Sequence, residues 1–198
     1  MALIIALIAL LSISLSLADD VLRAGLSVPA ALLELSRFFT ILTNALVVLT
    51  LARFAMNPVS VSSEWLCALM LSIAMVGAVY WGLLAGINTP EGLGIYANQG
   101  LHTLVPIAFV LWWLICAPKA GLSYGDVAWF AAWPLLYVSY ALTRAQIDGR
   151  YPYPFLDVNA LGWGPVLVNI GELSVALLGA GLVLVIAVRF FTRRRRAA

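Results

Sequence analysis

The sequence predicts an all-α fold, a polytopic membrane protein built as a bundle of six transmembrane helices. The chain has 198 residues, of which 64% are apolar and 10% charged, and its mean hydropathy is +1.03. A soluble globular domain carries about 25% charged residues, and a small one leaves much of its surface in water. This composition therefore excludes a soluble enzyme, a disulfide-framed secreted domain and a disordered regulator.

Six apolar stretches predict the six helices, since a spanning helix needs about 20 mostly apolar residues. In chain order they are 2–18, 38–55, 65–87, 99–117, 126–143 and 164–190. The first is short and ends in a sequence that resembles a signal-peptidase site. No Lys or Arg precedes it, however, which favours a retained helix over a cleaved signal peptide. We therefore predict one membrane domain over residues 1–198, ending in a basic tail at 191–198.

The basic residues predict the orientation, because cytoplasmic loops and helix ends are rich in Lys and Arg. The side that holds both termini carries seven of them: Arg53, Lys119, Arg189 and the four arginines 193–196. The opposite side carries four: Arg23, Arg37, Arg144 and Arg150. We expect both termini in the cytoplasm, with the arginine cluster in contact with anionic membrane lipid rather than with nucleic acid.

Polar side chains gather in the predicted outer halves of four spans. Such groups are costly in hydrocarbon and usually face a bundle interior or a wet cavity. In chain order they are Thr40, Thr43, Asn44, Asn98, Gln99, His102, Thr103, Tyr137, Tyr140, Arg144, Asn169 and Glu172. Their shared depth predicts a functional site in the outer half of the membrane. The alternative is that they only bond carbonyls or bridge helices, for about 0.6–2 kcal/mol each.

His102 is the single histidine of the chain, and Pro106 follows it by four residues. Pro106 has no N–H for the His102 carbonyl, which predicts a loosened helix of the kind that lines a cavity. One His with no Cys nearby provides too few ligands for a metal. The sequence contains neither a glycine-rich phosphate loop nor a GxSxG elbow, and we expect no metal and no cofactor. A threonine hydroxyl activated by the imidazole is the chemistry that remains.

Several short motifs stand in order along the chain. They are RFFTILTN at 37–44, His102 with Thr103 and Pro106, WW at 112–113, APK at 117–119, the run 133–144 and YPYPFLD at 151–157. Together they resemble the androgen-induced-gene / androgen-dependent TFPI-regulating protein family of intramembrane threonine hydrolases. The match is closest to the bacterial six-span branch of that family, and it covers nearly the whole chain.

The resemblance implies an enzyme of the bacterial inner membrane that hydrolyses lipid-like acyl esters, such as fatty acid esters of hydroxy fatty acids. Matched by motif, the family's threonine corresponds to Thr40 and its histidine to His102. Thr43, one turn further on, is the rival nucleophile. We predict that Thr40 attacks the ester carbonyl while His102 removes its proton. A lipid or long-chain ester is then the expected substrate, and membrane lipids are the expected surroundings.

Supporting roles are expected for a further set of polar residues. Asn44, Tyr140 or Arg144 donates to the oxyanion, and Asp157 or Glu172 orients the imidazole. Tyr137 shares a helix face with Tyr140 and belongs to the same predicted site. The loop 151–157, stiffened by two prolines, is either a lid on the outer mouth or an ordinary rigid connector.

Two other functional classes compete with the hydrolase. One is a small transporter or binding protein that uses the polar layer as its ligand site. The inner halves of the spans lack polar residues to continue such a path, and no inverted repeat is visible. The other is a structural membrane protein without chemistry, in which the polar residues only join helices.

Overall fold

Helices form every regular element in the part of the chain that the structure describes. The structure is a computed structural model that describes the backbone of residues 1–197 and the side chains of residues 1–192. The α-helices are α1 Ala2–Leu22, α2 Val28–Leu35, α3 Phe39–Met56, α4 Ser63–Val79, α5 Leu93–Gln99, α6 Val105–Ile115, α7 Ala132–Asp148, α8 Val158–Leu161 and α9 Trp163–Ala197. A first π turn, Tyr80–Leu84, continues α4, and a second π turn, Gly100–Leu104, joins α5 to α6. Short 3₁₀ helices lie at Pro58–Ser60, Tyr124–Ala131 and Pro154–Leu156. The side chains of the four tail arginines lie outside the described residues.

Among the residues that the structure describes, five helical stretches are long and apolar enough to cross a membrane. They are Ala2–Leu22, Phe39–Met56, Ser63–Leu84, Leu93–Ile115 and Trp163–Thr192. These five correspond to the predicted spans 2–18, 38–55, 65–87, 99–117 and 164–190. The chain is therefore an all-helical protein with the helix lengths and apolarity of an integral membrane protein.

The predicted span 126–143 has a different local structure. Its first part lies in the 3₁₀ helix Tyr124–Ala131, and α7 begins only at Ala132 and has 17 residues. Pro134 lies in the first turn of α7, where its missing N–H is no loss, because the first four N–H groups of a helix have no intrahelical partner. Because α7 begins only at Ala132, it is shorter than each of the five other stretches. A sixth span therefore remains a prediction.

The first helix shows how the outer surface differs from that of a soluble protein. Large apolar side chains of α1 are exposed: Leu3, Ile4, Leu7, Leu10 and Leu11. The buried side chains of the same helix are Ile5, Ala6, Ala9 and Ser12. Small residues let membrane helices approach closely, and large apolar ones suit contact with lipid. The surface of α1 therefore has the pattern expected of a helix in a bilayer.

The chain divides into two compact units, Met1–Pro118 and the remainder from Lys119 onward. In the first unit α1 packs against α3 and α5, while α4 packs against α3 and α6. Gly100, at the start of the second π turn, lies directly against the side chain of Ser12 on α1. This packing holds α3, the end of α4 and the second π turn together at one end of the unit.

The second unit is organised around α9, which packs against the 3₁₀ helix Tyr124–Ala131. Arg189 Nη1 donates to the Leu122 carbonyl at 3.2 Å, and its guanidinium lies 4.9 Å from the centre of the Tyr124 ring. Near the other end of α9, Asn169 Nδ2 donates to the Phe155 carbonyl at 2.8 Å. The proline-rich loop 151–157 is thereby attached to α9.

Candidate functional site

Thr40 and His102 form the centre of the candidate site, and both belong to the first unit. Thr40 Oγ1 lies 3.2 Å from His102 Nε2. Thr40 is buried, whereas His102 is half-buried. A nucleophile and its base are recognised by hydrogen-bond reach of about 2.6–3.2 Å. The pair that the family resemblance indicated is therefore within reach for proton transfer.

An apolar cluster lies next to the Thr40–His102 contact along both chain segments. Leu35, Ile41 and Leu101 are buried together, with Phe38 packed against them. Phe38 is the extended residue before α3, with φ −96° and ψ 131°, so that α3 begins within this cluster. Ile41 directly follows Thr40, and Leu101 directly precedes His102. The contact between these two apolar neighbours therefore brings the hydroxyl and the imidazole together.

The second ring nitrogen of His102 determines which tautomer is present. His102 Nδ1 lies 3.1 Å from the main-chain carbonyl oxygen of Asn98. A carbonyl oxygen only accepts hydrogen bonds, so we assign the proton to Nδ1. In the neutral ring Nε2 then carries the lone pair and accepts from the Thr40 hydroxyl. This is the arrangement that a general base requires.

Two π turns lie side by side at the site. In the first, the Ala85 N–H bonds the Tyr80 carbonyl at 2.8 Å, and in the second the Val105 N–H bonds the Gly100 carbonyl. Such widened turns inside α-helices are frequent at functional sites. The loosened helix predicted from Pro106 is confirmed, because His102 lies inside the second π turn. The wider turn directs the imidazole toward both α3 and the end of α4.

Tyr80 contacts one face of the imidazole, and Asn98 contacts both Tyr80 and the imidazole. The Tyr80 ring stacks on the His102 ring with centroids 4.0 Å apart and planes at 23°. Asn98 Nδ2 donates to Tyr80 Oη at 2.7 Å, and Asn88 Nδ2 donates to Asn98 Oδ1 at 3.2 Å. Sequence reasoning did not include Tyr80 or Asn88. Tyr80 lies in the outer part of the third predicted span, 65–87, and Asn88 directly follows that span, so their predicted depth is the signal that could have identified them.

Asn44 links α3 to the second π turn. Its Nδ2 donates to the Thr40 carbonyl at 2.9 Å and to the Leu101 carbonyl at 3.4 Å. Both N–H groups of the amide are therefore engaged by main-chain carbonyls, whereas an oxyanion donor needs a free one. Its Oδ1 is buried and has no hydrogen-bond partner among the described residues. Asn44 thus supports the site by linking α3 to the second π turn through hydrogen bonds. Thr43, the preceding residue, is fully buried.

The other predicted site residues lie in the second unit. Tyr137 is buried and Tyr140 is exposed, with their ring centroids 6.4 Å apart. Arg144 Nη1 donates to Tyr140 Oη at 2.9 Å, and Arg144 Nε lies 3.6 Å from Asp148 Oδ2. These four residues form one polar face of α7.

The two carboxylates expected to orient the imidazole have other surroundings. Asp157 Oδ1 accepts from the N–H groups of Asn159 and Ala160 at 2.9 and 3.0 Å, which caps α8. Glu172 is exposed on α9. His102 Nδ1 has its partner in the Asn98 carbonyl of the first unit. Within the first unit the group at Nδ1 is a main-chain carbonyl, and the orienting role expected for Asp157 or Glu172 stays a prediction.

In the part of the chain that the structure describes, no group of three or more His, Cys, Asp and Glu residues is arranged to hold a metal ion. The chain matches no family model, no curated protein and no solved structure. The resemblance to the androgen-induced-gene family therefore stays a prediction.

Proposed function

We propose that this chain is an intramembrane hydrolase of lipid-like acyl esters, with Thr40 as nucleophile and His102 as general base. The observation that carries the proposal is the chain of contacts from Thr40 Oγ1 to His102 Nε2 at 3.2 Å and from His102 Nδ1 to the Asn98 carbonyl at 3.1 Å. A hydroxyl is a weak nucleophile until an adjacent base removes its proton, and the base works best when a third group orients it. All three parts are present here.

The reaction proceeds through a covalent acyl-threonine. Thr40 Oγ attacks the ester carbonyl while its proton passes to His102 Nε2, and a tetrahedral oxyanion forms. As the intermediate collapses, the C–O bond to the alcohol breaks and His102 returns the proton to the leaving alkoxide. Water then attacks the acyl-threonine with His102 again as base, releasing the fatty acid and restoring the Thr40 hydroxyl. General base catalysis typically contributes about 10²–10⁴-fold, and an oxyanion hole supplies a further part.

A lipid substrate fits the surroundings of this site. Thr40 and His102 belong to helices that are long and apolar enough to span a bilayer, and large apolar side chains are exposed along α1. A long acyl chain that enters sideways from the bilayer stays in apolar surroundings throughout. Only the ester group meets the polar residues, near the headgroup boundary where water is in reach. Fatty acid esters of hydroxy fatty acids are a substrate class of this kind.

The membrane arrangement is part of the proposal. We assign six spans, with 126–143 as the fifth, and both termini to the cytoplasm of a bacterial cell, with the protein in the inner membrane. The charge count of seven against four basic residues supports this orientation. The site then lies in the outer half of the bilayer.

A fluorophosphonate probe on the purified full chain in detergent micelles tests the proposal. We expect covalent labelling of the wild type, loss of labelling in Thr40→Ala and His102→Ala, and retained labelling in Thr40→Ser. Thr43→Ala is the matched control, because it removes the hydroxyl of another threonine one turn along α3. This variant should still be labelled. Cleavage of a long-chain ester should fall by at least about 100-fold in the first two variants.

Two results contradict the proposal. Labelling that survives Thr40→Ala but is lost in Thr43→Ala would move the nucleophile by one turn. A wild-type protein that is neither labelled nor able to cleave esters would favour the transporter, binding or purely structural alternatives.

A further inference from the structure

We infer that Tyr80 is a positioning residue, which holds the His102 imidazole in the one orientation and tautomer that make Nε2 the base for Thr40. The kinetic part of this inference rests on the proposed hydrolase function. The structural part concerns the ring itself and is measurable without any substrate.

The first support is the stacking contact. The Tyr80 ring is buried, with 4% of its surface exposed, and lies on the imidazole with centroids 4.0 Å apart and planes at 23°. An imidazole rotates about its Cβ–Cγ bond unless a neighbour blocks that rotation, because this torsion has broad minima. A flat ring at this distance restricts the rotation on one face. Nε2 is thereby kept at Thr40 and Nδ1 at Asn98.

The second support is that Tyr80 and His102 are bound to the same residue. Asn98 accepts from His102 Nδ1 through its main-chain carbonyl at 3.1 Å, and it donates from Nδ2 to Tyr80 Oη at 2.7 Å. Asn88 Nδ2 donates to Asn98 Oδ1 at 3.2 Å, which determines how the Asn98 amide is turned. The phenol and the imidazole therefore move together with Asn98. A displacement of the phenol displaces the imidazole.

The third support is electrostatic. When Thr40 Oγ gives its proton to Nε2, the imidazole becomes a cation, because Nδ1 keeps its own proton and donates it in the hydrogen bond to the Asn98 carbonyl. The face of an aromatic ring carries partial negative charge and attracts a cation above it. The Tyr80 face meets the imidazole directly, so its attraction grows at the moment when His102 takes up charge. A stacked ring therefore stabilises the protonated imidazole of the intermediate more than the neutral imidazole of the resting state.

The neighbouring Trp81 provides a matched control. Trp81 packs at 86° to the Tyr80 ring with centroids 5.4 Å apart, and its Nε1 donates to Thr103 Oγ1 at 3.1 Å. More than half of its surface is exposed. It lies on the same π turn and is aromatic, yet its hydrogen bond leads to Thr103 and not to Asn98. Trp81→Phe should leave hydrolysis and the imidazole unchanged.

The kinetic test compares Tyr80→Leu, Tyr80→Phe and Trp81→Phe in detergent micelles with a long-chain ester. For Tyr80→Leu we expect kcat to fall at least about tenfold while KM stays within about twofold, because the loss concerns the base and not substrate binding. Tyr80→Phe keeps the stacked ring but removes the acceptor for Asn98, and should recover part of the lost kcat. Trp81→Phe should stay within about twofold of the wild type in both constants.

The direct test uses the single histidine of the chain. With ¹⁵N-labelled histidine, the spectrum reports one imidazole. In the wild type and in Trp81→Phe we expect Nδ1 protonated and Nε2 unprotonated. In Tyr80→Leu we expect signals averaged between the two tautomers. If Tyr80→Leu does not fold, Tyr80→Phe decides, because it removes the link from the phenol through Asn98 to the imidazole. A lower kcat with a mixed tautomer supports the inference, and a kcat and a tautomer that both equal those of the wild type overturn it.

The two proposals fail in different ways. A wild-type protein with one fixed tautomer that is lost in Tyr80→Leu, but with no ester cleavage, supports the positioning role and contradicts the hydrolase. Ester cleavage through Thr40 and His102, with kcat and tautomer unchanged in Tyr80→Leu, supports the hydrolase and overturns the role of Tyr80.

Discussion

Gly77 on α4 faces the main-chain carbonyl of His102. A Cβ built on Gly77 would lie 3.2 Å from that oxygen and 3.2 Å from Pro106 Cβ. Because Pro106 has no N–H, the His102 carbonyl lacks the donor that an α-helix would supply four residues later. A glycine opposite leaves room for α4 to approach this carbonyl closely. Gly77 and Pro106 together determine how near the second π turn lies to the end of α4.

Gly77→Ala should therefore lower activity more than stability. The added methyl group forces the second π turn to shift by a few tenths of an ångström, whereas alanine favours the helix by about 1 kcal/mol. We expect nearly unchanged thermal unfolding in detergent and a loss of ester hydrolysis of about tenfold, since small misplacements of catalytic groups are costly. Gly82→Ala is the control, because a Cβ there meets nothing within 4 Å. Full activity in Gly77→Ala would contradict this account.

Gly100→Ala should destabilise the fold through its contact with α1. The new Cβ would lie 2.8 Å from Ser12 Cβ and closer still to its Oγ. Overpacking of this kind costs about 1–3 kcal/mol. We expect a lower midpoint of thermal unfolding for Gly100→Ala, and partial recovery when Ser12→Gly is added. If the double variant is as unstable as the sum of the two single ones, the contact with Ser12 is not the cause.

Two side-chain contacts hold the loop between the first π turn and α5, and we expect them to differ in their effect on hydrolysis. Arg23 Nη2 lies 2.8 Å from Glu91 Oε2, with 46% and 73% of the two side chains exposed, and such pairs contribute about 0–1 kcal/mol. Asn88 instead donates to Asn98, which is 7% exposed. We expect Glu91→Gln to keep hydrolysis within about twofold. Asn88→Ala should lower it several-fold, since a buried acceptor left unpaired costs about 1–3 kcal/mol.

Hydrolysis rate against acyl chain length in micelles tests the route of the substrate. Entry from the bilayer keeps the chain in apolar surroundings, where each buried CH₂ is worth about 0.8 kcal/mol. We expect long-chain esters to be cleaved faster than acetyl or butyryl esters at equal concentration. Rates that are highest for the shortest esters and fall steadily with length would exclude this route, whatever the roles of Thr40 and His102.

A reporter that is active only in the cytoplasm, fused after Ala198, tests the proposed orientation. We expect activity, because the side with both termini carries seven of the basic residues. Replacing the four arginines 193–196 by glutamine should weaken the preference, since the count without them favours the other side. An inactive reporter would place the site in the inner half of the membrane.

Five of the predicted spans could be predicted from their long apolar runs. A run of about 20 apolar residues in lipid must satisfy its backbone hydrogen bonds internally, and an α-helix does so. Pro106 likewise predicted the loosened turn around His102, since the missing N–H is a local property of the residue. The stretch 126–143 was less predictable, because its hydropathy does not show that its first residues form a 3₁₀ helix.

The polar contacts around the imidazole could not be predicted in the same way. Shared depth and the family resemblance suggested Thr40 and His102, whose atoms are indeed within hydrogen-bond distance. Whether the imidazole would bond a carboxylate or a main-chain carbonyl depends on the register of two π turns. Close packing at Gly77 and Gly100 accompanies that register, and no spacing in the sequence reveals it.

The choice of a carbonyl at His102 Nδ1 has an electrical consequence. The groups in contact at the site are a hydroxyl, a neutral imidazole, a phenol and carboxamides, so the resting centre carries no net charge. During the proposed reaction a positive imidazole and a negative oxyanion arise together and disappear together, which forms a transient dipole and not a new net charge. The membrane voltage does work on charge displaced across the bilayer. A proton transfer between Thr40 Oγ1 and His102 Nε2, which lie 3.2 Å apart, crosses only a small part of a hydrocarbon core of about 30 Å. Turnover by this centre should therefore be nearly independent of whether the cell membrane is energised.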